Sequence, residues 1–321
     1  MAADDLFVAI DLGGTKVLAA LADEQANTLA RHWELTEQSE AGLAAQLRRV
    51  VHAVLEQGGA DKERIRGIGV GSPGPLDPDT GVIFDTPNIA IHDFPLKAIL
   101  EEEFRAPVRV NNDVNVGTLG EAWRGAGSGY HSVLGIFPGT GIGGGLVVEG
   151  KIFVGDSKNA LEIGHMIVER NGPRCNCGNY GCLEAFASRT HIGRQLREIV
   201  EGGRPSLISE LAQGEDLERV HPGLLAEALE RGDEVVTEVL ENAACALGIG
   251  SINLVHLFGP AVMVYGGGLI QVLGDFFMPR IEKMVFSRCL KGTYEHTTLR
   301  RAALGDDAVL VGAVALALGL G

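Results

Sequence analysis

The sequence predicts an α/β protein of two domains, and three observations carry this prediction. A glycine-tipped hairpin spans residues 6–22, and the same device returns at residues 132–148. Short apolar strands alternate with helical stretches through the rest of the chain. Because each hairpin is followed by further strands and helices, we expect two α/β domains that face each other across a central cleft, each contributing one hairpin.

The first hairpin opens the chain. Its strands are predicted over residues 6–10 and 17–22, with the turn at residues 11–16. Apolar residues then follow helical spacing over residues 41–57, and the pattern stops at Gly58. This stretch is therefore an amphipathic helix.

The next elements bring polar residues to the end of a strand. A buried strand at residues 65–70 leads into the glycine- and proline-rich loop 71–75. Another strand, at residues 108–110, runs directly into residues 111–113, Asn-Asn-Asp. A helix is predicted after Asp113, up to about Trp123.

The second hairpin begins the larger domain. It is predicted as a strand at residues 132–137, a glycine turn from Gly139 to Gly145, and a strand that resumes at Leu146. Residues 185–232 are of mixed helix and loop character, and a long helix with one apolar side follows over residues 233–257.

The chain closes with one strand and two helices. The buried strand 262–265 meets a run of three glycines, from which a helical segment extends to about Phe286. An apolar helix at residues 308–320 is expected to be capped by Asp306 or Asp307, and it is too short to span a bilayer. The predicted domains are residues 1–115 with 305–321, which form the smaller one, and residues 116–304.

Composition excludes several classes of protein. The formal charge is −15, from 42 acidic and 27 basic residues without a basic run, so nucleic acid is not an expected partner and a neutral acceptor is mildly favoured. The N-terminus has no basic segment, and Asp11 interrupts its apolar run, so neither a signal peptide nor a membrane span is expected. We expect a cytoplasmic protein with reduced cysteines.

A cluster of sulfur and nitrogen ligands lies in the second half. Glu162 and Glu184 bracket it, and it consists of His165, Cys175, Cys177 and Cys182. Glycines between the cysteines permit turns tight enough to bring three sulfurs together. Three thiolates and one imidazole are typical of a closed structural zinc site. Ordinary thiols, or half of a disulfide, are the alternative for Cys175 and Cys177.

The two glycine turns indicate a polyphosphate site. Backbone N–H groups of glycine tips can approach an anion closely, and two opposed tips suit a nucleoside triphosphate, although a single glycine turn is more often a simple hairpin. Asp11 lies at a strand end beside the first tip, where a carboxylate can hold Mg²⁺.

Asp113 also lies at a strand end, next to Asn112. A carboxylate in this position can accept the proton of an attacking alcohol, and the Asn112 amide can orient the hydroxyl. An Asx turn or a helix N-cap is the alternative interpretation of this pair. The neighbouring phosphate-binding features favour the catalytic interpretation.

Seven motifs in this order resemble the ROK family, the group of bacterial sugar kinases and sugar-responsive repressors. Together they cover nearly the whole chain. The motifs are Asp11-Leu12-Gly13-Gly14-Thr15-Lys16, Gly71-Ser72-Pro73-Gly74, Thr86-Pro87-Asn88, Asn111-Asn112-Asp113, the glycine turn Gly139-Thr140-Gly141-Ile142-Gly143-Gly144-Gly145, Glu162-Ile163-Gly164-His165, and the cysteine cluster through Glu184.

The resemblance implies a two-domain actin/hexokinase-like (ribonuclease H-like) ATPase fold with a central cleft, and Mg-ATP-dependent phosphorylation of a sugar hydroxyl. It implies that Asp113 is the catalytic base. The sugar would be contacted by Asn88, Asn112, Asp113, Glu162, His165 and Glu184. The phosphates would lie between the two tips, formed by Asp11, Gly13, Gly14, Thr15 and Lys16 and by Gly139, Thr140 and Gly141. The adenosine would lie near Gly266, Gly267 and Gly268, with Mg²⁺ on Asp11 and Zn²⁺ on His165, Cys175, Cys177 and Cys182.

Within the family, the Thr86-Pro87-Asn88 and Glu-Ile-Gly-His motifs look most like glucokinases, so conversion of glucose to glucose 6-phosphate is expected. Residues 89–92 and 159–161 are less typical and could border the sugar pocket. Mannose, fructose, N-acetylmannosamine and N-acetylglucosamine are therefore alternative acceptors, and polyphosphate is an alternative donor.

Two further classes are alternatives to a kinase. Family repressors carry an added N-terminal helix-turn-helix domain, whereas here only ten residues precede Asp11, so a repressor is the less favoured interpretation. A zinc-stabilised binding module without catalysis is the other. The resemblance also implies a homo-oligomer, a dimer or a tetramer.

Overall fold

The computed structural model describes residues 5–86 and 89–321, and the chain divides into two compact units. The first unit comprises residues up to Gly135 together with Gly145–Leu161 and Asp306–Gly321, and the second comprises Ile136–Gly144 and Glu162–Gly305. The first unit thus includes residues 116–135 and 145–161, which the sequence prediction places in the larger domain.

Runs of strands are separated by single helices up to residue 152, and a series of five α-helices over residues 184–258 then precedes the last two strands. The strands are β1 (Leu6–Leu12), β2 (Lys16–Ala22), β3 (Thr28–Leu35), β4 (Ile65–Ser72), β5 (Leu76–Asp77), β6 (Val82–Ile83), β7 (Val108–Asn112), β8 (Ser132–Pro138), β9 (Ile142–Val148), β10 (Lys151–Ile152), β11 (Val262–Tyr265) and β12 (Thr298–Arg301). The helices are α1 (Glu40–Gln57), α2 (Leu96–Phe104), α3 (Asp113–Arg124), α4 (Glu184–Ala187), α5 (Arg189–Glu201), α6 (Ile208–Leu211), α7 (Pro222–Glu230), α8 (Glu234–Phe258), α9 (Gly267–Arg288) and α10 (Ala308–Leu318).

The strands form two five-stranded sheets and one small hairpin. The first sheet has the order β3-β2-β1-β4-β7, in which β1 to β3 are antiparallel and β1, β4 and β7 are parallel. The second has the order β10-β9-β8-β11-β12, and β5 pairs with β6. The two mixed sheets, whose parallel strands are joined through helices, confirm the predicted α/β class.

The first hairpin and the main helices agree with the sequence prediction, whereas the second turn is shorter than predicted. Strand β9 begins at Ile142, so Gly143, Gly144 and Gly145 belong to the strand and not to the turn. A β-carbon on Gly144 would lie 2.5 Å from Cδ1 of Ile163, which shows why this strand needs a glycine. The glycine run reflects close packing against Ile163 as well as a turn.

Helix α10 begins where predicted, but its cap differs from the prediction. Asp307 occupies the cap position and its side chain makes no capping hydrogen bond. Its carboxylate instead accepts two hydrogen bonds from Arg31 on β3, at 2.7 and 2.9 Å. Asp307, one of the two predicted residues, therefore occupies the cap position without capping the helix through its side chain, because a partner distant in the sequence takes the carboxylate.

Helix α10 packs against the first sheet and α3 through close backbone contacts. A β-carbon on Gly312 would lie 1.8 Å from the carbonyl oxygen of Val116, and one on Gly69 would lie 1.8 Å from that of Ala313. Both separations are far below van der Waals contact. The last helix is thus held against β4 and α3 at a distance that only glycine permits.

Replacement of Gly312 by Ala should lower the free energy of unfolding. Alanine favours a helix by about 1 kcal/mol over glycine, but the forced shift of α10 from α3 should cost about 1–3 kcal/mol more than that gain. Urea unfolding measures the difference. Gly268→Ala is the matched control, since its β-carbon would meet nothing within 4 Å. Equal stability of the Gly312→Ala variant and the wild type would contradict this packing.

One helix in the described part of the chain, α8, is long and apolar enough to cross a membrane by length and composition. However, 61% of its most apolar window is buried inside the protein. Val236, Leu240 and Leu247 are among its residues that are closed to solvent. This burial is typical of a core helix.

Candidate active site

The carboxyl ends of the parallel strands bring polar residues to one edge of the first sheet. In the strand register, Asp11 on β1 lies opposite Gly71 on β4, and Gly71 lies opposite Asn111 on β7. Asp113 follows as the first residue of α3. Asp11 and Asp113, far apart in the sequence, therefore belong to the same edge.

The first glycine tip, which joins β1 to β2, is held by residues that follow β3. The N–H of Gly13 donates to the carbonyl oxygen of Lys16 at 2.9 Å, which closes the turn. Thr36 Oγ1 donates to the carbonyl oxygen of Gly13 at 2.7 Å, and Gln38 Nε2 donates to that of Gly14 at 3.3 Å. These carbonyl oxygens, which would repel a phosphate, are thus already paired. Sequence reasoning missed Thr36 and Gln38.

The two aspartates at this edge have strongly raised pKa values. The pKa of Asp113 is raised to about 7, first by burial and then by the nearby Asp11 carboxylate, whereas the hydrogen bond from the backbone N–H of Val114 lowers it. The pKa of Asp11 is raised to about 6, mainly by burial. The charge of Lys16 lowers this pKa, and the charge of Asp306 raises it. Both carboxylates are thus costly to ionise, as is common at sites that bind protons or cations.

Asn112 caps helix α3, which is the structural role that the alternative interpretation gave to the Asn-Asp pair. Its Oδ1 accepts hydrogen bonds from the N–H groups of Val114 at 3.0 Å and Asn115 at 3.3 Å, so Asn112 is the N-cap of α3. Asp113 is thereby free of the capping role, and its Oδ1 accepts a hydrogen bond from the N–H of Val114 at 2.9 Å. The side chain of Asn112 also hydrogen-bonds to the Asp113 carboxylate, which lowers the pKa of Asp113.

The second glycine tip, residues 139–141 between β8 and β9, is held by residues 184–190, here called the clamp segment. Two backbone groups of the tip bond to it: the carbonyl oxygen of Gly139 accepts from the N–H of Arg189 at 2.9 Å, and that of Thr140 accepts from Thr190 Oγ1 at 2.8 Å. These two hydrogen bonds therefore hold the tip and the clamp segment together.

Glu184, at the start of the clamp segment, fixes the exit of the same tip. Its Oε2 accepts a hydrogen bond from the N–H of Ile142 at 2.9 Å, and its Oε1 lies 3.7 Å from Sγ of Cys175. A β-carbon on Gly141 would lie 2.5 Å from Oε2 of Glu184, so the approach requires glycine. One carboxylate thus joins the glycine tip to the cysteine cluster, a link that no sequence spacing indicates.

A cavity of about 280 Å³ opens beside the second tip. Its walls include the tip itself, the start of α5 and the starts of α7 and α9. The lining residues are Gly139, Thr140, Arg189, His221, Pro222, Gly268, Leu269, Gln271 and Val272. Helix N-termini carry partial positive charge, so three of them on one cavity favour an anionic ligand.

Only one of the three glycines predicted near the adenosine lines this cavity. A β-carbon on Gly266 would lie 2.6 Å from the ring of Phe137, and one on Gly267 would lie 2.5 Å from the carbonyl oxygen of Pro138. Gly267 also has φ of +77°, which disfavours other residues. Gly266 and Gly267 therefore serve the packing of α9 on β8, whereas Gly268 faces the cavity.

The cysteine cluster is formed by tight turns, as the sequence predicts. Gly178 and Gly181 adopt positive φ angles of 93° and 74°. The N–H of Cys175 donates to the carbonyl oxygen of Asn179 at 2.8 Å, and the N–H of Gly178 donates to that of Cys175 at 3.0 Å. All five cysteines of the chain, which lie in its described part, are free thiols.

The four predicted zinc ligands come together in space. The donor atoms of His165, Cys175, Cys177 and Cys182 all lie within 4.8 Å of one another. Sγ of Cys177 and Cys182 are 3.7 Å apart, and Sγ of Cys175 lies 3.8 Å from Nδ1 of His165. Ligands around a tetrahedral zinc ion stand roughly 3.4–3.8 Å from each other. Both the spacing and the donor chemistry fit zinc.

The raised thiol pKa values of two cysteines in the cluster also favour a bound cation. Burial raises the pKa of Cys175 and of Cys182, so their thiolates need a positive partner. The imidazole of His165 turns Nδ1 towards Cys175, which leaves Nε2 for another contact. His165 ends the short 3₁₀ turn Ile163–His165.

The Glu162–His165 motif lies against the start of β9. A β-carbon on Gly164 would lie 2.3 Å from the carbonyl oxygen of Ile142. Glu162 immediately precedes the 3₁₀ turn and is exposed, as is His165. The second unit thus brings Glu162, His165 and Glu184 around the tip and the cysteine cluster, whereas Asn88, also predicted to contact sugar, lies outside the described residues.

The similarity to known proteins extends over nearly the whole chain. The sequence profile described as "ROK family" matches residues 7–319. The chain is 34% identical over 314 residues to a glucokinase of Thermotoga maritima and covers 96% of each protein. It is 36% identical over 317 residues to a glucokinase of Halalkalibacterium halodurans, covering 96% of this chain and 94% of that one. A putative xylose repressor of Caldicellulosiruptor sp. is 33% identical over 254 residues, which are 79% of this chain and 63% of the repressor.

Solved structures show the same fold over nearly all of the chain. A ROK hexokinase from Thermus thermophilus superimposes with a TM-score of 0.82 at 34% identity and 98% coverage of both chains. A ROK family glucokinase from Streptomyces griseus, solved in complex with glucose and AMPPNP, gives 0.81 at 31% identity, with 98% of this chain and 99% of that one covered. The fold is the actin/hexokinase-like fold that the motifs imply.

Proposed function

We infer that this chain, which belongs to the ROK family and is a sugar kinase, transfers the γ-phosphoryl group of ATP to the primary hydroxyl of a hexose. We propose glucose as the acceptor. The observation that carries this proposal is Asp113, a carboxylate with a pKa of about 7 at the carboxyl edge of the first sheet. Similarity to two glucokinases supports glucose.

Asp113 would act as the general base. The oxygen of the sugar hydroxyl forms a bond to the γ-phosphorus, the bond from that phosphorus to the ADP oxygen breaks, and the hydroxyl proton passes to Asp113. A carboxylate whose pKa is about 7, against the usual 3.8, holds that proton more firmly at neutral pH. The side-chain N–H₂ of Asn112 would orient the hydroxyl towards it.

Glycine tips and carboxylates would serve the nucleotide. The tip at residues 13–16 and the tip at residues 139–141 would bind phosphates through their N–H groups, and the cavity lined by Gly268 would receive the adenosine. Asp11, a buried carboxylate whose pKa is raised to about 6, would hold the Mg²⁺ that accompanies ATP. When bound, Mg²⁺ supplies positive charge against the phosphate oxygens.

Zinc would support sugar binding without taking part in the chemistry. His165, Cys175, Cys177 and Cys182 would fill all four positions of a tetrahedral site, which leaves none for a substrate. With Nδ1 of His165 directed to the metal, Nε2 would contact a sugar hydroxyl. Glu162, Glu184 and Asn88 are further proposed sugar contacts.

Coupled release of ADP, measured across a panel of hexoses, tests the proposal. We expect turnover with Mg-ATP and the largest kcat/KM for glucose, relative to mannose, fructose, N-acetylglucosamine and N-acetylmannosamine. A parallel series with polyphosphate in place of ATP tests the donor. If no hexose supported ADP release, the kinase proposal would fail, and a larger kcat/KM for another hexose would reassign the acceptor.

Similarity to a xylose repressor gives the second candidate, a sugar-responsive regulator. Retention of the protein on DNA at low salt would favour it, whereas the charge of −15 opposes it. We also propose that the enzyme acts in the cytoplasm as a dimer or a tetramer. Sedimentation velocity would test the assembly state, and a monomer at micromolar concentration would contradict it.

A further inference from the structure

The guanidinium group of Arg189 has no counter-charge within the part of the chain that the structure describes. Among the described residues no carboxylate forms an ion pair with it, although the chain carries 42 acidic residues. Its Nη2 donates to Oγ1 of Thr140 at 2.8 Å, and its Nε is buried without a partner. A half-buried, unneutralised charge is costly, and a ligand that supplies the opposite charge removes that cost.

The position of Arg189 in the chain is also unfavourable unless an anion binds. It is the first residue of α5, whose N-cap is Ser188. The positive end of a helix repels a basic side chain and attracts an anion. The N–H of Arg189 donates to the carbonyl oxygen of Gly139 at 2.9 Å, which holds the start of α5 against the glycine tip.

The surroundings of Arg189 identify the class of ligand. Arg189 lines the cavity of about 280 Å³ together with the tip residues Gly139 and Thr140. The starts of α7 and α9 meet the same cavity through Pro222 and Gly268. Every charge that these elements contribute there is positive, so the wall of the cavity suits an anion.

We infer that Arg189 binds the phosphate chain of the nucleotide, as a residue additional to the two glycine tips. This inference rests on the proposed function, because that function supplies the polyphosphate ligand. Guanidinium groups make strong, directional hydrogen bonds to phosphate oxygens. In a chain with a formal charge of −15, such a residue also provides the local positive field that an anionic substrate requires.

Direct binding measurements on the full chain test this role. Arg189→Gln should weaken the binding of ATP about tenfold to a hundredfold, the range for removal of a charge-assisted hydrogen bond. The binding of tripolyphosphate should weaken by a similar factor, whereas the binding of adenosine should change less than about twofold. Affinity for ATP should also depend less on KCl concentration than in the wild type.

Arg197→Gln is the matched control. Arg197 lies on the same helix but pairs with Asp216 and Glu218 outside the cavity. Its replacement changes the net charge by the same amount as Arg189→Gln. It should leave the affinity for ATP unchanged. A second variant, Arg189→Lys, keeps the charge and should retain most of the affinity, which guards against a loss of folding in Arg189→Gln.

Three outcomes would overturn the inference. One is unchanged affinity for ATP in Arg189→Gln. The second is an equal loss for adenosine, which would give Arg189 a purely structural role. The third is that Thr140→Val reproduces the whole loss while the salt dependence stays that of the wild type, which would mean that Arg189 acts only by holding Thr140. Failure of the proposed function is distinguishable, since it appears as ATP binding without ADP release on any hexose.

Discussion

Asp113→Asn should lower kcat by about two to four orders of magnitude while sugar binding is retained. The size follows from the removal of a positioned general base. Asparagine has nearly the same shape, and its Oδ1 can still accept the hydrogen bond that the N–H of Val114 donates to Asp113. ADP release at saturating ATP and sugar gives kcat, and calorimetric titration with sugar gives the affinity. Near-normal turnover would remove Asp113 from the role of base.

The same substitution should stabilise the protein in a pH-dependent manner. The pKa of Asp113 is about 7 in the folded protein, against 3.8 in the unfolded chain, so ionisation opposes folding. This cost is absent below about pH 4, grows as the pH rises from about 4 to 7, and is complete above pH 7. Asp113→Asn should therefore raise the free energy of unfolding by a few kcal/mol, at most about 4, at pH 8, and by little at pH 4.

Asp61→Asn is the control for both measurements. Asp61 is exposed and makes no capping hydrogen bond at the short turn it precedes. The variant changes the net charge by the same amount as Asp113→Asn and should alter neither turnover nor the pH dependence of unfolding. If Asp113→Asn were stabilising at pH 4 as much as at pH 8, the raised pKa could not be its cause.

Cys177→Ser should abolish most metal binding and weaken sugar affinity by about tenfold or more. Removal of one of four zinc ligands opens a structural site, and changes around a metal commonly cost about 10–100-fold in affinity or activity. We expect about one zinc per chain in the wild type by elemental analysis and a small fraction of that in the variant. Because His165 would lose its fixed orientation, the sugar affinity should fall with the metal content.

Cys245→Ser is the matched control, because Cys245 is an exposed thiol outside the donor cluster. It should retain zinc and sugar binding. Chelator treatment of the wild-type enzyme, followed by restoration with zinc, separates metal loss from a folding defect. A fully active preparation free of zinc would exclude a zinc requirement.

The features that local sequence patterns determine were predictable. The hairpin at residues 6–22, helix α1 and helix α8 follow from periodicity and glycine stops, and the structure contains all three. The cluster of His165 with three cysteines follows from residue chemistry, and the positive φ angles of Gly178 and Gly181 follow from the need for tight turns. In these cases the residues that decide the conformation are neighbours in the sequence.

Long-range contacts account for what the sequence did not reveal. Asp307 is the N-cap residue of α10, but its side chain makes no capping hydrogen bond because Arg31, on β3, takes the carboxylate. The start of β9 was misplaced because Gly144 is needed to pack against Ile163 and not to turn the chain. Arg189 was missed although it carried one signal, a basic residue at the first position of a helix, where a basic residue is electrostatically unfavourable.

The clamp segment has a consequence for how the protein would hold its metal. It follows Cys182 closely in the chain, touches Cys175 through Glu184, and ends on the glycine tip through Thr190. Thermodynamic linkage is reciprocal: if ordering of the zinc cluster strengthens nucleotide binding by some factor, the nucleotide must strengthen zinc binding by the same factor. If zinc occupies the cluster, we therefore expect a chelator to remove it more slowly from molecules that have nucleotide bound than from molecules without nucleotide.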